Sequence, residues 1–116
     1  MMQKHTACKL FESLASPVRL DIFRLLIKHG GHGLVAGEIA EALTIAPSNL
    51  SFHLKALTHT GLISAKQEGR FQRYRADLTL MLDLMTYLTE ECCINDNGNI
   101  CANHLPAPCS ATTKPG

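Results

Sequence analysis

No stretch of this chain is apolar for long enough to cross a bilayer, and Met1–Leu10 is polar where a secretory leader would carry its apolar centre. These absences lead to the expectation of a soluble, cytoplasmic protein with no membrane partner. There is no phosphate-cradling glycine loop, no Ser/His/Asp constellation and no pair of carboxylates set out for acid–base work, so an enzyme is not expected and no organic cofactor is called for. No internal repeat is present. Net charge is almost missing too, at +1, which is less basic than a nucleic-acid binder usually is. What the chain does have is 116 residues, one domain by length, of which 46% are apolar. It also has five cysteines, an odd count that in a reducing compartment reads as free thiols, ligands or redox sensors before structural disulfides.

The small net charge conceals a division. Residues 47–75 carry Lys55, Lys66, Arg70, Arg73 and Arg75 against Glu68 alone, a local excess of +4. Residues 76–116 carry Lys114 against Asp77, Asp83, Glu90, Glu91 and Asp96, a local excess of −4. The middle of the chain therefore suits phosphate contact. The acidic last part, which holds Cys92, Cys93, Cys101 and Cys109, suits a cationic ligand.

Hydrophobic spacing predicts mainly helices. Ala7, Leu10, Phe11 and Leu14 recur three and four apart, giving an amphipathic helix over 5–14 with Cys8 as a small buried side chain. Ser16-Pro17 is a helix start, and the helix runs to a stop at Gly30-Gly31 with Leu20, Ile22, Phe23, Leu26 and Ile27 as its buried face. Gly33–Ala36 reads as a brief strand or a helix lead-in. A short helix over 36–43 follows, then the break Thr44-Ile45-Ala46, then a helix opened by Pro47 and ended near Thr60-Gly61. Two helices around a three-residue break form a helix-turn-helix. Leu62–Gln67 and Phe71–Ala76 read as strands around Glu68-Gly69-Arg70, a two-stranded wing. Asp77 caps a last helix over 78–91 that is apolar nearly all round, and its outer face calls for a second copy of the chain as cover. Residues 1–93 are thus expected to form one winged helix-turn-helix unit that dimerises, with 94–116 as a flexible tail rich in Asn, Pro, Gly, Ser and Thr.

With Leu50, Leu54 and Leu57 turned inward, Ser48, Ser51, Phe52, Lys55 and His59 face outward, and Asn49 and His53 lie on the flank. Ser and Asn can hydrogen-bond base edges, and His can reach a base or a phosphate. An outward Phe52 is costly in water. It either packs on a thymine methyl in a major groove or packs on the wing or a neighbouring helix. Arg70 at the wing tip, with Lys66 and Arg73 on the strands, would reach phosphates or a minor groove. Double-stranded operator DNA is the expected partner.

The strings SPVRLDIFRLL, SNLSFHLKALTHTGLI and EGRFQRYRA resemble the ArsR/SmtB family of winged-helix metalloregulatory repressors over about residues 10–91. The recognition-helix pattern falls on Ser51, His53, Leu54, Leu57, Gly61 and Leu62, and the wing marks fall on Gly69, Arg70 and Tyr74. The resemblance implies a homodimer held by the first and last helices, bound to its operator until an inducer releases it. One family metal site uses a Cys-x-Cys pair before the recognition helix, and the matching residues 34–39 contain no Cys. Another uses Asp and His along the last helix. Asp83 is there, but no His lies between Arg75 and Ile100. An arsenite-sensing subset carries a C-terminal Cys-Cys pair with one nearby Cys, and Cys92, Cys93 and Cys101 are similar to it.

Trivalent arsenic, or antimony, would take these three thiolates, since soft ions prefer thiolate. Zinc or cadmium would want a fourth ligand, for which Cys109 or His104 is at hand. Neighbouring residues on a helix point about 100° apart, so Cys92 and Cys93 could share one ion only if the last helix frays and residues 94–100 fold back. Three alternatives stay open: a cadmium or zinc sensor, a thiol-redox sensor on the same fold, and an interaction or metal-chaperone module that does not bind DNA.

Overall fold

The computed structural model describes residues 2–92, 94 and 95. Five helices and three short strands follow one another as α1 (Lys4–Leu14), α2 (Pro17–His29), a 3-10 turn (Gly30–His32), β1 (Leu34–Val35), α3 (Ala36–Leu43), α4 (Pro47–Thr60), β2 (Ile63–Glu68), β3 (Phe71–Ala76) and α5 (Leu78–Thr89). The helix-turn-helix is α3 and α4, joined through Thr44, whose left-handed backbone (φ 54°) makes the sharp exit from α3. β2 and β3 pair as the wing.

Local chemistry accounts for the element ends. Ser16 Oγ accepts the Arg19 backbone N–H at 3.5 Å, Pro17 sits at the first helical position of α2, and Gly30 leaves the helix at φ 56°. Asp77 Oδ1 accepts the Leu80 N–H at 3.0 Å to start α5. Gly61, at φ 88°, ends α4.

One core unites these elements. Ala7 and Leu10 of α1, Ile22, Phe23 and Leu26 of α2, Ile39 of α3, Leu50, Leu54 and Leu57 of α4, Leu62, Ile63 of β2, Leu84 of α5 and Leu34 of β1 are all buried. Each large aliphatic side chain there contributes about 1.5–3 kcal/mol by leaving water. Ser13, the one buried polar side chain among the described residues, takes a hydrogen bond from the Thr60 hydroxyl at 3.5 Å and so ties α1 to the end of α4.

The structure departs from the sequence expectations in five places. The brief strand, one of the two expectations for residues 33–36, is present as β1, but it pairs antiparallel with β3 (Leu34 opposite Tyr74, Val35 opposite Arg73), so the wing is part of a three-stranded sheet of order β1-β3-β2 and not a two-stranded unit. Leu20 and Ile27 are exposed at 44% and 37%, because the inward stripe of α2 is the narrower set Ile22, Phe23 and Leu26. Phe11 is likewise outward at 40%. Cys8 is exposed instead of buried, since α1 turns Ala7 and Leu10 to the core. Finally, α5 stops at Thr89, two residues short of the expected end, and Cys92 lies in a turn beyond it, its N–H bonded to Thr89 O at 2.8 Å. Cys92 therefore lies outside the helix expected to carry it.

An apolar stripe is left uncovered on the single chain. Leu78, Leu82, Met85 and Leu88 of α5 follow one another at helical spacing with exposures of 37–60%. The chain enters β1 through Gly33 at φ 65° and ψ −170°, a region open to glycine alone, and a Cβ there would collide with Tyr74 O and come within 2.9 Å of Arg75 Cγ. Gly33→Ala should therefore destabilise the fold by about 2 kcal/mol or more, measured by urea unfolding. Gly31→Ala, where the added carbon meets nothing within 4 Å, should unfold close to the unsubstituted chain.

Candidate nucleic-acid interface

The burial of Leu50, Leu54 and Leu57 turns the opposite face of α4 outward. Ser48, Asn49, Ser51, Phe52, Lys55 and His59 are all exposed on it, and His53 is half-buried at its edge. α4 has Pro47 at its first position and no acidic residue in its first turn. The positive end of its dipole, beside the exposed Ser48 and Asn49, therefore carries neither a carboxylate nor a side-chain cap.

Phe52 is 63% exposed, so it projects from the face as the helical period requires. It is not isolated. The guanidinium of Arg19, on α2, lies 5.7 Å from its ring centroid, within cation–π range. The His53 ring meets Phe52 edge-on with centroids 5.3 Å apart and planes at 72°. Arg19 Nε–H also donates to His53 Nδ1 at 3.1 Å. Burial, and after it the positive charge of Arg19, holds the His53 imidazole below its ordinary value of 6.5. Both readings of Phe52 thus have structural support: the ring faces outward and also rests against a neighbouring helix. Arg19 was invisible as a member of this face from sequence, because it lies 34 residues before His53 on a different helix. Lys9, Glu12, Arg19, Lys55 and His59 line an open groove of about 520 Å³ beside Phe52, between α1 and α4.

The wing carries its basic residues in two different states. β2 and β3 pair in register Lys66–Arg73 and Glu68–Phe71, which leaves Gly69 (φ 60°) and Arg70 as the tip. Lys66 and Arg70 are exposed. Arg73 is engaged: its Nε bonds Glu68 Oε1 at 2.8 Å and its Nη1 donates to His32 O at 3.2 Å. That hydrogen bond is the first reason the Glu68 carboxyl lies below its usual range. Arg75 donates from Nε to Gly31 O at 2.6 Å. These two arginines fasten the wing to the turn after α2, and Lys66 and Arg70 are left to reach a partner.

Of the three cysteines singled out from sequence, Cys92 is exposed in the turn after α5 and is disulfide-bonded. Cys93 and Cys101 lie outside the described residues, as do Cys109, His104 and all of the expected tail except residues 94 and 95. Among the described residues no three His, Cys, Asp or Glu side chains gather where they could hold a metal ion. Asp83 lines a groove between α1 and α5 together with Tyr87 and Glu90. No helix among the described residues is long and apolar enough to cross a membrane.

Comparison with known proteins agrees with this geometry. Residues 14–64 match the family described as "Helix-turn-helix domain". The chain is 30% identical over 79 residues to the transcriptional repressor SdpR of Bacillus subtilis, covering 68% of this chain and 84% of that one. It is 26% identical over 103 residues to a protein of Streptomyces lividans described as "Probable mercury resistance operon repressor", covering 87% and 78%. Among solved structures it resembles Mb0332 of Mycobacterium bovis, described as a homodimeric winged helix-turn-helix DNA-binding domain and "a possible ArsR-family transcriptional regulator". There the TM-score is 0.60 with 29% identity, over 75% of this chain and 81% of that one.

The state of His53 has a consequence for stability. Its pKa is lower in the folded chain than in the unfolded one, so the unfolded state binds the proton more readily. The associated stability is present above the unfolded value near 6.5 and is lost as pH falls below it. Urea unfolding at pH 7.5 and pH 5.5 should show a larger loss of stability on acidification for the unsubstituted chain than for His53→Gln, which has no proton to gain.

Proposed function

The chain belongs to the ArsR-type family of winged helix-turn-helix transcriptional regulators, and on that footing we propose that it is a repressor that binds operator DNA as a homodimer and is released by trivalent arsenic or antimony. The observation that carries the DNA half of this reading is the outward face of α4, flanked by the free wing cations Lys66 and Arg70. On that reading Ser48, Asn49, Ser51, Phe52, His53 and Lys55 enter the major groove, and Lys66 and Arg70 lie on phosphate or in the adjacent minor groove. Arg73 orients the wing and reaches DNA through that orientation, since its Nε is bonded to Glu68 and its Nη1 to the His32 carbonyl. The uncovered stripe Leu78, Leu82, Met85 and Leu88 supports dimerisation through α5, with α1 alongside.

The inducer half rests on Cys92, Cys93 and Cys101 as thiolate ligands. Cys92 stands in an exposed turn immediately after α5, where a bound ion would bear on the dimerising helix. Thiolate is the donor that soft ions prefer, and a relative described as a mercury resistance repressor is consistent with a soft inducer. When bound, the ion would supply a rigid cross-link among three thiolates. The chain's part is to couple that cross-link to the end of α5. A second reading, release by thiol oxidation, is favoured by the disulfide at Cys92. In it two thiols give two electrons and two protons to an oxidant such as peroxide.

Gel shifts with a duplex selected by the chain from a random-sequence pool separate these readings. Arsenite should release the reduced protein, and Cys92→Ser, Cys93→Ser and Cys101→Ser should each abolish that release. If arsenite still releases all three variants, the ligand assignment is wrong, and if only peroxide releases the unsubstituted chain, the redox reading replaces it. In the same assay Arg70→Ala should weaken binding to all duplexes and lower the log–log salt slope by about 1. Arg73→Ala should leave that slope nearly unchanged and lower stability.

A further inference from the structure

Arg19 belongs to α2, outside the helix-turn-helix pair, yet it touches two residues of the recognition face. Resting on the DNA-binding reading above, we propose that Arg19 is a positioning residue for α4: by occupying His53 Nδ1 it fixes that imidazole as an Nε2–H donor for DNA, and by lying over Phe52 it fixes the aim of the outward ring.

The chemistry of the donor compels the tautomer. A guanidinium has N–H groups and no lone pair to offer, so it can only donate. At 3.1 Å from Arg19 Nε, His53 Nδ1 must therefore be the acceptor. A neutral imidazole that accepts at Nδ1 carries its proton on Nε2. The imidazolium would present N–H at both nitrogens and could not keep this bond. Arg19 is itself well seated: it lies in the first turn of α2, where its backbone N–H bonds Ser16 Oγ and Pro17 starts the helix. Arg19 and His53 are half-buried while Phe52 is 63% exposed, so the first two form a supporting layer beneath the ring. The other charged or titratable groups on this groove are Lys9 and Glu12 of α1 and Lys55 and His59 of α4. Burial and the Arg19 charge both favour the neutral imidazole, the form this geometry needs.

An Nε2–H donor sets the chemistry of what His53 can meet. It suits an acceptor: N7 or O6 of guanine, N7 of adenine, O4 of thymine or a phosphate oxygen. It would oppose the amino groups of cytosine and adenine, donor against donor. Arg19 thereby helps decide which acceptors the face accepts without touching them.

The test has one arm on the free chain and one on the complex. In long-range 1H–15N spectra of the full-length chain at pH 7.5, His53 should be the Nε2–H tautomer. Arg19→Ala should leave a mixture of tautomers. Arg19→Gln carries an N–H at the same number of bonds from the backbone as Arg Nε and has no charge, so it should restore the single tautomer. Against a duplex selected by the unsubstituted chain from a random pool, Arg19→Ala should lose affinity about tenfold with its salt slope unchanged, and Arg19→Gln should recover most of that loss. A loss confined to the selected duplex assigns the acceptor to a base edge, whereas an equal loss on a scrambled duplex assigns it to a phosphate oxygen. The proposal is overturned if both variants lower the salt slope by about 1 while the tautomer stays unchanged, because Arg19 is then a plain phosphate contact. It is also overturned, with the DNA reading intact, if both variants bind as the unsubstituted chain does. A chain that selects no duplex removes the DNA reading itself.

Discussion

Burial of three leucines on α4 is the constraint from which this surface follows. Leu50, Leu54 and Leu57 are each no more than 3% exposed and share one core with α1, α2, α3, β2 and α5. A helix anchored along one stripe has no rotational freedom left. Every residue about 180° from that stripe must face outward, and here those residues are serines, a lysine, a histidine and one phenylalanine. The same anchoring fixes the axis of α4, along which its dipole and the N–H groups of its first turn point, and so fixes them relative to the outward side chains. For a DNA-binding helix, rigidity of this kind is the functional requirement, because base edges are read by geometry.

The wing needs a second anchor, and it comes from the turn after α2. Gly33 lets the chain run close along β3, and β1 adds a strand beside it. Arg73 and Arg75 then bond the carbonyls of His32 and Gly31. Two arginines that count toward the basic excess of the middle segment thus have structural work, and among the described residues of the wing the cations left to meet phosphate are Lys66 and Arg70. Local charge alone would overstate the wing's reach.

Much of this was legible in the chain itself. The Ser16-Pro17 start, the Gly30 and Gly61 stops, the bounds of α3 and α4, the leucine stripe of α4 and the Gly69 turn are all short-range features, each set by residues within a turn or two. The width of the α2 face is not legible in the same way, since Leu20 and Ile27 look as apolar as Ile22 and are separated from it only by how α2 meets its neighbours. The outward position of Cys8 is hidden for the same reason. β1 is two residues long, too short for any alternation to show, and it is a strand only because β3 offers it a partner.

Sequence periodicity and turn chemistry were therefore enough to establish the order of elements, the inward face of the recognition helix and the division into a basic middle and an acidic end. They act over a few residues and leave their mark in composition and spacing. Beside the pairing of β1 and the narrower face of α2, three things came only with the folded chain: Arg19 behind His53 and Phe52, Arg73 and Arg75 on the turn before β1, and the outward turn of Cys8. The arginine contacts join residues 34 to 44 positions apart. No local pattern records such a pairing, because it arises where two elements are pressed together by the core they share.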